Sequence, residues 1–299
     1  MNNLKKISIF LIISSILLLI TGCSNKTNNP KRNINVTTSL NFYGEVAKDV
    51  LGNHGSVTSI INNPNIDPHD FEPKSSDARN VSKTNVMVSN GLGYDSWAEN
   101  LTSNNKDITK VNVGKLMGKN SGDNPHIWYN IDTMKKLAYE LANQFGKLQP
   151  QNKKAFEQNA KDYVNKLKPV EDKINNIKKS KIDKPVAVSE PVFDYSLDKL
   201  GYSIADKSFE EAIEKGNDPA PADIRQLQND IIHHKLAFFV VNKQVNSKIV
   251  TNLANLAKKN KLPIVYVTET KPVNMSNYIK WMDNQYDQVL KIQKNNRLK

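Results

Sequence analysis

Five histidines occur in the chain, and two of them share one setting. Each follows a proline: His69 within Asp67-Pro68-His69-Asp70-Phe71-Glu72-Pro73, and His126 within Asn124-Pro125-His126-Ile127-Trp128. A proline restricts the backbone beside it, and so limits where the next imidazole points. An imidazole held that way on a loop is a preorganised donor for a divalent cation such as zinc, manganese or iron. Either histidine alone would read as well as a loop or capping residue, and the repeated setting is what argues for a shared metal. His54 follows Gly52-Asn53 in a turn, whereas His233 and His234 close a helix, where the dipole favours positive charge. Catalysis finds no counterpart. The chain has no Gly-x-Ser-x-Gly elbow, no phosphate-cradling glycine loop and no His-Glu-x-x-His.

The pattern around these histidines predicts an α/β protein of two parallel-sheet lobes linked by one long rigid helix. In the first half, β-branched runs at 35–39, 56–61, 86–89 and 108–113 read as strands. Helical spacing occupies 40–51, 77–81, 94–102 and 131–148 between and after them. The second half repeats the alternation, with strands at 185–189, 202–205, 237–241 and 263–268 and helices at 192–200, 222–234, 247–260 and 276–293. Alternating strands and helices imply parallel sheets covered on both faces. Between the halves, Phe156, Ala160, Tyr163, Leu167, Val170, Ile174 and Ile177 recur at three- and four-residue steps. They form one apolar stripe on a helix following Pro150, roughly 45 Å long at about 1.5 Å per residue. Pro169 is expected to kink or divide it. A coiled-coil dimer would also use such a stripe, but the run is short and flanked by β/α segments, so a monomer is expected.

The amino terminus carries a separate signal. Lys5 and Lys6 precede an almost wholly apolar run, Ile7 to Ile20, which ends in Ile20-Thr21-Gly22-Cys23. The run fits a signal-peptide core and is too short to span a bilayer comfortably. Cys23 is the single cysteine, so a disulfide framework is excluded. A small residue before Cys after such a run resembles the bacterial lipoprotein processing site, which implies lipid attachment at Cys23; an uncleaved anchor is the alternative. Residues 1–22 are then a signal peptide and 23–33 a polar tether. The body divides into an N-terminal lobe at 34–148, a connecting helix at 149–179 and a C-terminal lobe at 180–299. The formal charge of +12 is spread along polar helical faces without an arginine cluster or interleaved aromatics, which argues against nucleic acid as a partner.

From about Ile34 to its carboxyl end the chain resembles the adhesin-lipoprotein family, the metal-binding lipoproteins that serve zinc and manganese ABC importers. That family has a first ligand in a Pro-His-x-Phe/Tyr-x-Pro segment, here His69, and a second in Pro-His-x-Trp, here His126. Its third opens a Phe-x-Tyr motif after the long helix. The segment here is Ser189-Glu190-Pro191-Val192-Phe193-Asp194-Tyr195, which implies Glu190. Its fourth is a carboxylate ending the last strand, which implies Glu269. Two positions depart from the pattern. Glu269 lies in Thr-Glu-Thr-Lys-Pro where Asp-Pro is usual, and Asn242, Lys243 and Gln244 follow Val241 where a Glu is usual. Taken alone, Glu190 could cap the following helix and Glu269 could be an exposed loop carboxylate.

Two imidazoles and two carboxylates make a neutral N2O2 set for Mn2+, Fe2+ or Zn2+ and exclude a thiolate-demanding metal. Two donors from each half place the metal in the interlobe cleft. The resemblance thus implies an extracytoplasmic binding protein on the outer face of the cell membrane that hands a divalent cation to an ABC permease. The His-rich loop of some zinc-binding relatives is missing, since residues 70–125 contain no His. This favours manganese as cargo and leaves zinc open. Two other classes remain at this stage: a secreted metal-dependent hydrolase using Glu190 or Glu269 as general base, and a surface adhesin without a transport role. Asp194, beside the third ligand, is a candidate supporting residue.

Overall fold

The computed structural model describes residues 33–297 apart from 67, 69 and 70. The expected signal peptide, Cys23, all of the expected tether but Asn33, and His69 lie outside the described residues.

The first lobe is built on β1 (Ile34–Leu40), β2 (Gly55–Ile61), β3 (Val86–Ser89) and β4 (Thr109–Asn112), all parallel in the order β2-β1-β3-β4. Central β1 is buried at six of its seven positions, as a strand covered on both faces must be. Helices α1 (Asn41–Leu51), α2 (Ser75–Val81), α3 (Ser96–Thr102), α4 (Val113–Leu116) and α5 (Ile131–Leu148) complete the lobe. Of these, α1 and α5 bury regular apolar stripes, Phe42, Val46 and Val50 on one and Met134, Leu137, Leu141 and Phe145 on the other.

After a single 3-10 turn at Pro150–Asn152, α6 (Lys153–Lys179) runs unbroken for 27 residues. It buries the seven stripe residues from Phe156 to Ile177 that the spacing marked. Pro169 does not divide it. The carbonyl deprived of its donor belongs to Asn165, which shares the exposed face with Pro169, so water can serve it. Buried Leu167 and Val170 hold the turn in place from the other side. The first half of α6 is tied to the first lobe, with Asn159 Nδ2 donating to Val50 O at 3.0 Å and Lys166 paired with Asp49 at 2.8 Å. Its second half is tied to the closing helix, α11 below, where Lys173 meets Asp283 at 2.5 Å and also Asp287.

The second lobe contains β5 (Ala187–Val188), β6 (Phe239–Asn242) and β7 (Ile264–Val267), parallel in sequential order, with α7 (Asp194–Leu200), α8 (Lys207–Glu214), α9 (Pro221–Ile232), α10 (Lys248–Lys259) and α11 (Tyr278–Arg297). Two expectations change here. The short strand at 202–205 is only an isolated bridge from Ile204 to Val186, and α8 occupies a stretch with no expected element.

One apolar core passes without a break from Ile34 and Val36 through the stripe of α6 to Val188, Val265 and Tyr286. At its middle, Phe42, Trp128 and Trp281 meet with ring centroids 5.2 to 5.7 Å apart. A second, smaller core around Phe209, Leu227, Phe239 and Leu253 covers the outer face of the second sheet. Helix α11 returns to the first lobe, where Tyr278 OH donates to Trp128 O at 2.6 Å and Tyr278 N to Glu45 Oε2 at 2.6 Å.

Candidate metal centre

The turn after β3 sets the position of His126. Gly91, with φ of 77°, turns the chain sharply, and both the Asn90 and Gly91 amides donate to the buried Asp95 carboxylate. A side chain at Gly91 would strain that φ and run into Asn112, 2.4 Å from where a Cβ would stand. Asn90 so fixed donates through Nδ2 to Pro125 O at 3.0 Å, while Tyr195 OH from the second lobe donates to Asn124 O at 2.8 Å. The residue before His126 and the one before that are therefore clamped from both lobes. His126 then enters a 3-10 turn, Ile127–Tyr129, whose side chains are all buried.

The protonation of the imidazole follows from its neighbours. Asn124 Nδ2 donates to Pro191 O at 2.6 Å, so its Oδ1 faces His126 and accepts from both the backbone N–H at 2.9 Å and Nδ1 at 2.8 Å. Nδ1 therefore carries the proton in the neutral ring, and Nε2 presents a lone pair. His126 is fully buried, and its Nε2 has no hydrogen-bond partner. It faces Glu269 Oε1 at 3.7 Å and Glu214 Oε1 at 3.8 Å, too far for hydrogen bonds but close enough to attract a positive charge at that nitrogen. Burial pulls the imidazole pKa down, yet the carboxylates of Glu269, Glu214 and Glu190 outweigh it and the net shift is upward. A proton on Nε2 would sit where a cation could sit instead.

Glu190 follows β5 and does not cap α7, whose start makes no side-chain capping bond. Its Oε2 accepts from Asn242 Nδ2 at 2.7 Å, so the amide at the end of β6 orients the carboxylate. Burial, followed by the charges of Glu214 and Glu269, lifts its pKa to about 7 against the Asn242 bond and His126. Glu269 lies after β7, and Tyr94 OH donates to its Oε1 at 2.7 Å. The preceding carbonyl, Thr268 O, accepts from Tyr129 OH at 2.6 Å, and Trp281 Nε1 donates to Thr268 Oγ1 at 3.0 Å. Glu269 is thus held and only 17 % exposed, not a free loop residue.

Glu214 escaped the sequence reading because no element was expected there. Asp206 caps α8, accepting from Phe209 N at 3.0 Å, and Phe209 and Ile213 form its buried face. That capped i, i+4 apolar pair was the available signal. One turn before Glu214, Glu210 packs its carboxyl against that of Asp194. Burial raises both pKa values, and the two share a proton that Glu210 holds. Asp194 thus anchors α8 beside the site.

Of the four expected metal residues, His126, Glu190 and Glu269 converge at the seam between the lobes. His69 cannot be placed. Its neighbour Pro68 and Glu269 line the same cleft, about 340 Å³, together with Pro64 and Gln244. Across it Gln244 Nε2 and Thr270 Oγ1 both donate to Pro64 O, at 2.7 and 2.9 Å. Among the described residues no three His, Cys, Asp or Glu side chains stand close enough to enclose a cation as they are. Neighbouring donors of a tetrahedral metal with bonds of about 2.1 Å lie roughly 3.4 Å apart. The 3.7 and 3.8 Å separations from His126 Nε2 are a few tenths wider than that.

Two parallel-sheet lobes bridged by one long helix are the architecture of the metal-binding solute-binding proteins. The structure superposes on that of FpvC from Pseudomonas aeruginosa in complex with Mn2+ with a TM-score of 0.71 at 18% identity, covering 89% of this chain and 100% of the other. The periplasmic zinc-binding protein TroA from Treponema pallidum gives 0.71 at 14% identity over 87% and 99% of the chains. The chain belongs to the ZnuA family, zinc-uptake complex component A periplasmic, whose model matches residues 36–292. Among curated relatives, the manganese-binding lipoprotein MntA of Halalkalibacterium halodurans is 24% identical over 264 residues, 84% of this chain and 86% of that protein. The manganese ABC transporter substrate-binding lipoprotein PsaA of Streptococcus mitis is 27% identical over 266 residues, 82% and 84% of the respective chains. No helix of the described residues is long and apolar enough to cross a membrane.

Proposed function

We propose that this protein is the extracytoplasmic solute-binding component of an ABC importer, capturing one divalent transition-metal ion and passing it to a membrane permease. His69, His126, Glu190 and Glu269 are its donors. The observation that carries this reading is the fully buried Nε2 of His126, fixed as a lone-pair donor by Asn124 and aimed at carboxylates. The metal is cargo, bound and not turned over, and the names of MntA and PsaA support manganese ahead of zinc. The chain works as a monomer with lobes 34–148 and 180–299 about the connector 149–179. Lipid on Cys23 holds it at the outer face of the cell membrane through the tether.

Elemental analysis of the protein from Ser24 onwards, purified without chelator and titrated with Mn2+ or Zn2+, tests this. The expected result is close to one metal per chain, with binding lost in His126→Ala and in His69→Ala. Unchanged affinity in both variants would refute it.

A further inference from the structure

We propose that Glu214 is a third carboxylate donor of the metal site, so that it joins Glu190 and Glu269 around a cation at His126. The inference rests on the metal-capture reading above and assigns a residue that the four-ligand set lacks. Glu214 Oε1 is 3.8 Å from His126 Nε2, against 3.7 Å for Glu269 Oε1. Geometry therefore gives Glu214 the same claim on a cation at that nitrogen as Glu269. The nitrogen itself is the independent sign of a ligand, being fully buried, without a hydrogen-bond partner and within 3.8 Å of an oxygen of each carboxylate.

The local structure also places Glu214 deliberately. It ends α8, whose Asp206 cap and Phe209–Ile213 face fix the helix on the second lobe, and the Glu210–Asp194 carboxyl pair fixes the turn beneath it. Its charge reaches His126, Glu190 and Asp194 alike.

Three carboxylates change the kind of cation that fits. With His126 they make a set of three carboxylates to one imidazole, and oxygen-rich sets suit harder cations such as manganese. Glu214 should therefore tilt selection towards Mn2+.

The test uses full-length protein in detergent, with Mn2+ and Zn2+ affinities measured for wild type, His126→Ala and Glu214→Gln. Expected is a rise in the Mn2+ Kd of Glu214→Gln by at least about tenfold, a smaller rise for Zn2+, and a changed visible spectrum of the Co2+-loaded protein. If wild type binds and His126→Ala does not, but Glu214→Gln matches wild type in both affinities and in the Co2+ spectrum, the role of Glu214 is overturned while metal capture stands. If wild type itself takes up no metal, both readings fall. Should Glu214→Gln not fold, a crystal structure of Mn2+-loaded wild type decides. A Glu214 oxygen within about 2.5 Å of the ion supports the assignment, and any longer distance overturns it.

Discussion

The two lobes prepare their donors in opposite ways. The first lobe offers His126 in one settled orientation, its Nδ1 proton given to Asn124 and its loop clamped by Asn90 and Tyr195. The second lobe offers carboxylates that crowd one another, with Glu190 pushed up to about 7 by burial and by Glu214 and Glu269. One side is preorganised, whereas the other is under like-charge strain that a cation relieves. The cores differ in parallel. The first sheet belongs wholly to the shared interlobe core, while the second is sandwiched between that core and its own. A hinge would have to split packed aromatic rings, so little lobe closure is expected on binding.

The largest test of this comparison removes the shared core. Trp128→Ala, which empties a fully buried site against Phe42, Tyr94 and His126, should cost about 3–5 kcal/mol of stability in chemical unfolding. It should loosen His126 as well. Asn124→Ala is gentler: the fold persists, but the ring loses its fixed tautomer, and calorimetry should show metal affinity falling on the order of 10–100-fold.

Acidity probes the second lobe. Glu190 must be ionised to ligate, and its pKa is raised to about 7, so metal binding displaces a proton below that value. Affinity should be flat well above pH 7 and fall about tenfold per pH unit for each proton displaced as pH drops from 7 to 6. The raised pKa of His126 acts in the same direction. The same shift of Glu190 has a stability consequence without metal. A carboxyl whose folded pKa lies above its unfolded value stabilises the fold at acid pH and loses that contribution as pH rises through 7. Metal-free protein should therefore gain from mild acid at this group while metal-loaded protein loses. Smallest is Gln244→Ala, which removes one interlobe tie to Pro64 and should cost about 0.5–1.5 kcal/mol, read as a lowered midpoint of thermal unfolding.

Much of this was legible in the residues. The stripe from Phe156 to Ile177 marked every buried position of α6, and β3 and α5 fall on the stretches expected of them. The proline before His126 and the motif at Glu190 led to residues that do converge. The misses have physical causes. Helix α8 has two apolar anchors in eight residues, too few to raise a periodic signal, and its stability comes from tertiary contacts that no local pattern displays. Glu214 was hidden with it. Pro169 leaves α6 undivided, because the effect of a proline depends on which face the orphaned carbonyl meets, and that depends on packing. The tautomer of His126 depends on Asn124, two residues away, but also on Pro191, from the far lobe.

The return of α11 to the first lobe has a consequence for how the molecule comes into being. The bond from Tyr278 to Glu45 joins residues 233 apart in sequence. Trp281 packs beside Phe42 and Tyr129, with ring centroids 5.7 and 5.6 Å away. The first lobe cannot finish its interior until residues near the carboxyl end have joined it. Such long-range closure makes folding slow, and a chain ending before Tyr278 should remain a collapsed, unfinished intermediate with its aromatic centre open to water.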